Sequence, residues 1–573
     1  MKRRLSIFLL CAFTGFGQAP KQAPEARTFD AVATDAAGKP VPGLTAEDFE
    51  VTQDGAPRKV DSLEWCGTPR QIVLIVDDLG LTPERTLANQ NLLQKFVTDQ
   101  LAPADVAVLL RTSSGAGWQQ PLVTDRRPLR EQIDRIQPLG HGLSGSAAAS
   151  ALWQSIRSAV EGLRSVPGRK AVVLISEHLD APLARGSDPD YARNGIRAAA
   201  HAGMAVLYTV DPRGPAEPPR DSALAWLVRE TGGLAAPDLA AVMRDQQGYY
   251  VLGFHPGGEG ATSTPVVLKL RNKILGLRWR FGFLSPPDGP RGPVPPSRGV
   301  AIDRALKGAT EGGDLRLRVT PLFAGFTRNG AAIDVLVNID VNNLSDMRSL
   351  KVAHQLDVEV HVAVYNDAGK LAGPPGQGYD LMLIDHQYER AKAEGLVYAT
   401  RLTVPGAGGY QIRAAVIDGL SDRCGSAMQF IEIPAVNQGA FAVSGIVLNA
   451  GAEQKNSEGI RLAQETAAVR QFKTGAPIAF TYSVFNSTLG PVKESRLRVK
   501  TNIYATGRQV YDGRPVDLDF PAATSNVRSV NGKVQLDSSL SAGEYVLEVE
   551  AADLLAKEAA PRVAWQYITF EVR

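Results

Sequence analysis

The chain has few residues of the kinds that usually build catalytic or metal centres. Its 573 residues include only three cysteines and seven histidines. No two histidines have the H-E-x-x-H or H-x-x-x-H spacing of zinc hydrolases. Two of the cysteines, Cys66 and Cys424, lie far apart and have no neighbouring histidine. We therefore expect neither a disulfide framework nor a thiol nucleophile in the folded part of the chain.

The chain has neither a large net charge nor, beyond its N-terminus, a long apolar run. Charged residues make up 21% of it and the net charge is +2, so no global basic field favours nucleic acid as a partner. Beyond the N-terminus, no run reaches the roughly 18 to 20 apolar residues of a bilayer span. The Gly-rich segments 115–117 and 140–145 lack the spacing of nucleotide-binding loops. The length suggests about three or four domains.

The N-terminus has the form of a secretory signal peptide. The basic segment 2–4 precedes an apolar stretch, residues 5–16, and small residues allow cleavage after Gly17. The sequence therefore predicts an exported protein, periplasmic or secreted, with no transmembrane segment in the mature chain. Lipid attachment at Cys11 is the alternative, which is disfavoured because Leu10 stands where a small residue is expected.

Two apolar runs end in carboxylates. Ile72–Val76 is followed by Asp77 and Asp78, and the run that begins at Lys170 is followed by Glu177. Runs of this length are typical of strands buried on both faces of a parallel sheet. Open α/β sheets place their ligand sites at the carboxyl ends of such strands. The pattern predicts a doubly wound α/β domain whose strand ends face a common crevice.

Several further segments occur with these runs in a characteristic order along the chain. Residues 28 to about 285 resemble the von Willebrand factor A-related domain proteins of environmental bacteria. The matching segments besides the two runs are Phe29–Gly55, Gly168–Lys170, Met204–Pro212, Thr231–Gly233 and Gly248–Pro256. The resemblance implies a von Willebrand factor A-like fold and a protein partner.

The resemblance also implies a metal site. Many A domains bind Mg²⁺ through a D-x-S-x-S loop, a threonine from a second loop and a later aspartate. Here Asp77 matches the first aspartate, Ser146 stands at the threonine position, and Glu177 stands at the position of the later aspartate. Asp78 is an additional candidate ligand, although its side chain should point away from that of Asp77 on an extended backbone.

Two leucines make this site degenerate. Leu79 and Leu81 occupy the two serine positions of the loop, and a leucine offers no lone pair to a cation. Mg²⁺ demands near-octahedral oxygen coordination, so the remaining residues should bind it weakly, on the order of millimolar or worse. In the alternative interpretation, Asp77 and Asp78 only cap the following segment and Glu177 is a solvated loop carboxylate. No other cofactor is implied.

The second half of the chain has the pattern of β-sandwiches. Residues 285–298 contain six prolines and predict a semi-rigid linker, after which a helix can begin within 299–308. Short strands separated by Gly, Pro, Asn and Asp then follow. A short internal repeat, the tyrosine echo, divides them into two modules: each copy begins with a glycine (Gly409, Gly543), and Tyr410 and Tyr545 each precede an aspartate by eight residues. This resembles the penultimate strand of immunoglobulin-like and fibronectin-like modules.

These observations give the following domains: a signal peptide (1–17), an N-terminal tail and β-hairpin segment (18–65), a von Willebrand factor A-like domain (66–285), a Pro-rich linker (286–312), and two all-β sandwich domains (313–436 and 437–573). The first hypothesis for function is a non-enzymatic protein-interaction or adhesion-type protein with an unknown partner in the cell envelope or outside the cell. The alternative is a secreted enzyme or a carbohydrate-binding envelope protein that uses the sandwich modules. No Ser/His/Asp arrangement favours the enzyme, and Trp565 is the only tryptophan in the two modules.

Overall fold

The structure is a computed structural model of a multidomain chain that is rich in β-strand. It describes residues 27–67, 69–113, 124–164, 166, 168–182, 189–255, 266–280, 297–307, 315–350, 353–366, 369–372, 376–449, 459–462, 468–523, 525–556 and 562–573. The predicted signal peptide, Cys11 and nearly all of the Pro-rich segment lie outside these residues. Within them, no helix is both long enough and apolar enough to span a bilayer.

The N-terminal half alternates strands and helices after an initial set of short strands. In chain order the elements are β1 (Arg27–Thr34), β2 (Phe49–Gln53), β3 (Ala56–Arg58), β4 (Ser62–Cys66), β5 (Gln71–Val76), α1 (Pro83–Asp99), β6 (Val106–Arg111), α2 (Arg126–Asp134), α3 (Gly145–Gly162), β7 (Lys170–Ile175), α4 (Pro189–Ala202), β8 (Ala205–Val210), α5 (Ala223–Glu230), α6 (Leu239–Asp245), β9 (Tyr249–Phe254), β10 (Val266–Leu270) and β11 (Gly276–Trp279).

Four of these strands form a parallel sheet in the order β6-β5-β7-β8. The strands are apolar along their length because helices cover both faces: α1, α2 and α6 pack on one face, and α3, α4 and α5 pack on the other. The chain leaves the central strand β5 towards β6 and returns to its other side as β7. A switch of this kind opens a crevice at the carboxyl ends of the two central strands.

Strands from both ends of this half form a separate β-unit. One antiparallel sheet has the order β11-β1-β9-β4 and the other has the order β10-β2-β3. Their common core includes Phe29, Phe49 and Tyr250. The sequence placed residues 18–65 and 66–285 in different domains, but β1 to β4 share this core with β9 to β11. Pairing between strands about two hundred residues apart leaves no local signal in the sequence.

A buried charge network joins this β-unit to the amino end of the parallel sheet. Asp30 is fully buried and forms ion pairs with Arg169 and Arg280, whose side chains are each 2% exposed. Arg169 also lies 3.9 Å from Asp245, which pairs with Arg278. Burial opposes ionisation, yet the two guanidinium groups hold the pKa of Asp30 below its usual range. Buried charges persist only when they are paired, so Asp30 fixes β1 against the sheet.

The C-terminal half is mainly antiparallel β-structure. Its elements are α7 (Arg298–Lys307), β12 (Leu317–Thr327), β13 (Gly330–Ile339), β14 (Met347–Leu350), β15 (Ala353–Asn366), β16 (Gly369–Ala372), β17 (Gln377–Ile384), α8 (Asp385–Glu394), β18 (Leu396–Val404), β19 (Gly408–Asp418), β20 (Cys424–Ile433), β21 (Ala442–Val443), β22 (Val447–Asn449), β23 (Gly459–Leu462), β24 (Gln471–Phe472), β25 (Pro477–Phe485), β26 (Ser495–Ala505), β27 (Arg508–Asp512), β28 (Val516–Phe520), β29 (Arg528–Gln535), β30 (Gly543–Asp553) and β31 (Arg562–Val572).

Two sheets make up the first β-module. One has the order β12-β13-β18-β23; the other is β14-β15-β19-β20, with β16 and β17 also paired to β15. Helix α7 falls within the predicted linker 286–312 but packs on this module, where Arg413 donates hydrogen bonds to the carbonyl oxygens of Leu306 (2.9 Å) and Lys307 (2.7 Å). Helix α8 was not predicted, because it is polar and buries only Ala391 completely.

Two further sheets make up the second β-module. Strands β21, β22 and β29 pair with β25, and the other sheet has the order β24-β31-β30-β26-β27 with β28 beside β26. The predicted boundary between 313–436 and 437–573 falls in the connection from β20 to β21. Strand β23 departs from this division, because it pairs with β18 of the first module with Ile460 opposite Tyr398.

The tyrosine echo corresponds to two equivalent strands, β19 and β30. The Tyr410 hydroxyl donates to the carbonyl oxygen four residues earlier at 2.9 Å, and the Tyr545 hydroxyl does the same at 2.8 Å. At the far end of each strand, Asp418 and Asp553 accept a hydrogen bond from the backbone N–H two residues later. Each also accepts one from a loop of its own module. The echo therefore marks the same position in both modules.

Candidate functional site

The carboxyl ends of three parallel strands meet at Asp77. This residue directly follows β5 and is 6% exposed. Its carboxyl group accepts hydrogen bonds from the Ser176 hydroxyl after β7 (2.7 Å), the Thr112 hydroxyl after β6 (3.0 Å) and the backbone N–H of Gly80 (3.1 Å). The parallel register places all three side chains one residue beyond their strands. The crevice predicted from the sequence therefore contains a buried carboxyl group with hydroxyl neighbours.

Asp78 is buried beside Asp77. Its carboxyl group accepts hydrogen bonds from the Ser113 backbone N–H (2.8 Å) and from the Thr112 hydroxyl (3.0 Å). The expectation that the two aspartate side chains point apart is wrong. The backbone leaves the extended conformation after Val76, whose carbonyl oxygen accepts from the Asp78 N–H at 3.0 Å, and this turn brings both carboxyl groups to one hydroxyl.

The Thr112 hydroxyl, which contacts both carboxyl groups, constrains the protonation of Asp77 and Asp78. Thr112 has a single hydroxyl hydrogen and can donate it to only one carboxyl group. The second short contact is a hydrogen bond only if that carboxyl group is protonated and donates to the threonine oxygen. Burial raises the pKa of both Asp77 and Asp78, even though Arg111 lies 4.0 Å from Asp78. The pair therefore keeps a proton to a higher pH than two exposed aspartates would.

The other two predicted ligands have different surroundings. Ser146 is exposed in the first turn of α3, and its hydroxyl oxygen lies 3.1 Å from that of Ser144. The Glu177 side chain is 9% exposed and lies 3.8 Å from the guanidinium group of Arg85 and 3.9 Å from that of Arg213. Glu177 is therefore paired with cations and is not the solvated loop carboxylate of the alternative interpretation.

These residues do not fit a hard divalent cation. Both oxygens of Asp77 already accept hydrogen bonds from protein donors, Glu177 faces two guanidinium groups, and Leu79 and Leu81 supply no oxygen. In the part of the chain that the structure describes, no group of three or more His, Cys, Asp and Glu side chains is arranged to hold a metal ion. Weak Mg²⁺ binding by Asp77, Ser146 and Glu177 stays a prediction for solution experiments.

Leu79 has a structural role. It is 4% exposed and belongs to an apolar cluster that contains Leu139 of the same domain, Phe430 of the first β-module and Val546 of the second. Leu81 is also buried, within the core beneath α1. Leu79 therefore attaches the carboxyl-end face of the parallel sheet to both β-modules, whereas Leu81 packs within the α/β domain itself.

Polar contacts surround this apolar cluster. Two of them join the segment before α3 to the modules: the Ser144 hydroxyl donates to Glu432 at 2.6 Å, and His141 Nδ1 lies 2.6 Å from a Glu548 oxygen. The hydrogen bond with Glu548 raises the pKa of His141. The Phe430 backbone N–H donates to the carbonyl oxygen of Ser113 at 3.0 Å. The three units thus meet at the carboxyl ends of the parallel strands.

A cavity of about 780 Å³ remains between this face and the second module. We call it the strand-end cavity. Its walls are mostly apolar and include Leu79, Leu81, Leu139, Leu143, Leu152 and Val546. Asp77, His178 and Glu548 add polar groups, and His178 Nδ1 lies 3.9 Å from Asp77. The site is chemically suited to an apolar group with a small polar end.

Sequence reasoning missed several residues of this site. Thr112 and Ser113 follow β6, and Ser176 follows β7, so hydroxyl groups at the ends of apolar runs were a usable signal. His141 and Glu548 are separated by 407 residues. Nothing in the sequence pairs them, because their contact depends on how the modules dock.

Comparisons with known proteins add little. No protein-family model matches the chain, and no curated protein matches it. Solved structures do match, and three of them show how weak the overall similarity is. Alkylpurine DNA glycosylase AlkC of Pseudomonas fluorescens, bound to DNA containing an abasic site analog, is 15% identical over 18% of this chain and 28% of its own, with a TM-score of 0.13.

The other two are α2-macroglobulin of Escherichia coli. Its native form is 12% identical over 57% of this chain and 20% of its own, with a TM-score of 0.15. The form activated by porcine elastase is 14% identical over 57% and 26%, with a TM-score of 0.16. This chain therefore spans 20% to 28% of the length of these proteins. With TM-scores this low, none of the three carries an argument about fold or function.

Proposed function

We propose that this chain is an exported, non-enzymatic binding protein with a von Willebrand factor A-related domain. In this proposal, the strand-end cavity takes up an apolar side chain of a partner protein in the cell envelope or outside the cell. The cavity is the observation that carries the proposal. It lies at the switch point between β5 and β7, where open α/β sheets place ligand sites. Its volume of about 780 Å³ falls within the usual range of ligand pockets.

The composition of the cavity supports a protein partner that binds without metal. Leu79 and Leu81 replace oxygen ligands with apolar surface, and the exposed residues His178 and Asp180 stand beside that surface. An apolar centre with a polar rim is the usual anatomy of a protein interface. The basic and apolar segments of the leader support export.

The nearest catalytic arrangement lacks a necessary contact. Ser176, Asp77 and His178 lie together, but the serine hydroxyl donates to the aspartate and the imidazole lies 3.9 Å from the same carboxyl group. The serine hydroxyl is therefore directed at the carboxyl group and not at the imidazole, which is the base of a Ser-His-Asp triad. This geometry supports the non-enzymatic interpretation.

The surroundings of Trp565 disfavour carbohydrate binding at this position. Its ring centroid lies 4.9 Å from that of His141, and its indole N–H donates to Glu550 at 3.3 Å. The indole is engaged at the junction between the units and does not present an open platform for a sugar.

A cavity-filling variant tests the proposal. A Cβ added at Gly145, which lines the cavity, would meet no atom within 4 Å, so Gly145→Phe should fill the space without disturbing the fold. Gly378 is equally open but lies on β17, so Gly378→Phe is the matched control. The full chain is used to capture partners from its own envelope fraction, with Mg²⁺ or with EDTA.

We expect the wild type and Gly378→Phe to capture the same partner protein and Gly145→Phe to lose that capture. EDTA should not change the capture. Retention of the partner by Gly145→Phe would place recognition elsewhere on the molecule. Loss in EDTA would contradict the metal-independent mode.

A further inference from the structure

The charged side chains that line the strand-end cavity are mainly acidic. Three carboxyl groups line it, those of Asp77, Asp180 and Glu548. Two histidines are also present, but none of the described residues in the cavity wall is a lysine or an arginine. The whole chain has a net charge of +2. The excess of carboxyl groups is therefore a local property of this cavity and not of the molecule.

Other ionisable groups in the cavity wall respond to this charge. Burial and the carboxylate of Glu548 together raise the pKa of Tyr504 to about 12. Burial also raises the pKa of Tyr567, and two nearby carboxyl groups act in the same direction despite Arg111. The hydrogen bond with Glu548 raises the pKa of His141, although burial opposes this shift. All three shifts include the effect of a negative potential, and a cation that enters the cavity is stabilised by the same potential.

Asp180 is the exposed carboxyl group of the three. It lies in the loop after β7, at the rim of the cavity, whereas the side chains of Asp77 and Glu548 are only 4% and 7% exposed and already accept hydrogen bonds from protein donors. Arg213 acts on Asp180 electrostatically, but it pairs directly with Asp211 at 2.7 Å. A cationic group that arrives from solvent therefore meets Asp180 first, and the two buried carboxyl groups strengthen the negative potential behind it.

We propose that the partner segment captured by the strand-end cavity carries a lysine or arginine next to its apolar residue. The apolar side chain lies among the leucines of the cavity wall. The basic side chain lays its long apolar stem along the wall and pairs with Asp180 at the rim. Complementary charge of this kind selects among partners and fixes their register more than it adds affinity. This inference rests on the proposed function, because it specifies the partner of the same cavity.

Three capped tripeptides test the charge preference on the full chain. Acetyl-Lys-Phe-Lys-amide places a cation on each side of one apolar side chain, the Gln-Phe-Gln peptide is its neutral counterpart, and the Glu-Phe-Glu peptide reverses the charge. Saturation-transfer NMR gives the dissociation constant of each peptide. We expect the lysine peptide to bind about fivefold to tenfold more tightly than the glutamine peptide, between the effect of an exposed ion pair and that of a charge-assisted hydrogen bond, and the glutamate peptide to bind most weakly. Equal affinity of the lysine and glutamine peptides, or no binding of any peptide at millimolar concentration, would overturn the inference.

A single substitution assigns the preference to the rim. Asp180→Asn should remove most of the difference between the lysine and glutamine peptides and leave the affinity of the glutamine peptide unchanged. Asp99→Asn is the matched control, because Asp99 is an exposed aspartate at the end of α1 that does not line the cavity. In the wild type the difference should also shrink in about 0.5 M salt, which screens an exposed charge pair. If Asp180→Asn keeps the full difference, the cation is recognised elsewhere and the inference is wrong.

The cavity-filling variant separates this inference from the proposed function. Gly145→Phe should weaken all three peptides by a similar factor, because each places the same phenylalanine in the cavity. Unchanged peptide affinities in this variant would show that the peptides bind outside the cavity, which contradicts the inference. If the lysine peptide shows no preference and Gly145→Phe nevertheless loses the captured partner, the proposed function stands and only the inference about charge fails.

Discussion

Replacement of Asp30 by asparagine isolates the contribution of one buried charge. Asparagine has nearly the same shape as aspartate, so Asp30→Asn leaves no cavity. It removes the negative charge between Arg169 and Arg280 and puts an NH2 donor in place of one of the two oxygens that accept from them. Arg169 retains Asp245 at 3.9 Å, while Arg280 retains only the carbonyl oxygen of His201 at 3.2 Å. Breaking a buried ion pair in this way costs about 3–5 kcal/mol, and we expect this range.

Hydrogen exchange followed by mass spectrometry shows which strands lose stability in Asp30→Asn. The amides of β1 and β9 should exchange about a hundredfold to a few thousandfold faster in the variant, which is the same free energy expressed as an opening equilibrium. The amides of β30 in the second module should not change. Asp61→Asn is the matched control, because Asp61 pairs with His255 at the surface of the same β-unit, and exposed pairs of this kind contribute little to stability.

The pH dependence of stability gives a second check on the role of the Asp30 charge. The pKa of Asp30 is lowered in the fold, so its stabilisation is fully present above the unfolded value of about 3.9 and is lost as the pH falls through the folded value. The difference between wild type and Asp30→Asn should therefore persist at neutral pH and shrink only below about pH 4. Equal exchange rates for the wild type and both variants at neutral pH would refute the reasoning.

Three further predictions concern the strand-end face. Leu79→Ala should lower the free energy of unfolding by about 2–5 kcal/mol, whereas Leu92→Ala, at a position that is 37% exposed, should change it by under about 0.5 kcal/mol; denaturant titration measures both. Calorimetry should give a millimolar or weaker Mg²⁺ affinity; micromolar affinity that is lost in Asp77→Ala would show an intact site. Since Glu548 raises the pKa of His141, their contact should stabilise docking fully below about pH 6.5 and fade as the pH rises through the raised value; melting curves should show this trend in wild type and not in His141→Gln.

Local patterns in the sequence were sufficient for much of the fold. The apolar runs gave β5 and β7 because strands buried on both faces need no alternation, and the tyrosine echo gave β19 and β30 because both modules repeat the same turn. Helix α8 was missed because its surface is polar almost all round. The pairing of β1 with β9 joins segments that are distant in sequence, and such pairing depends on the whole fold.

In the candidate site, too, the sequence predicted what depends on local patterns and not what depends on the whole fold. Asp77 was placed correctly at a strand end, because the register of a parallel sheet fixes which residues follow the strands. Leu79 was interpreted only as the loss of a metal ligand. Its packing against Phe430 and Val546 could not be predicted, since it requires the relative positions of three units that no local pattern encodes.

Strand β23 gives the two β-modules a mechanical property. The chain crosses from the first module to the second, returns to complete the sheet beside β18, and crosses again to β24. A pull that draws the modules apart must therefore strip β23 from β18 before the intervening chain can extend. For the same reason neither module can be transferred alone into a recombined protein. A cut in the connection after β20 separates the edge strand β23 from the first module and leaves it attached to the second. The pair is thus the smallest unit that can bear tension or be transplanted whole.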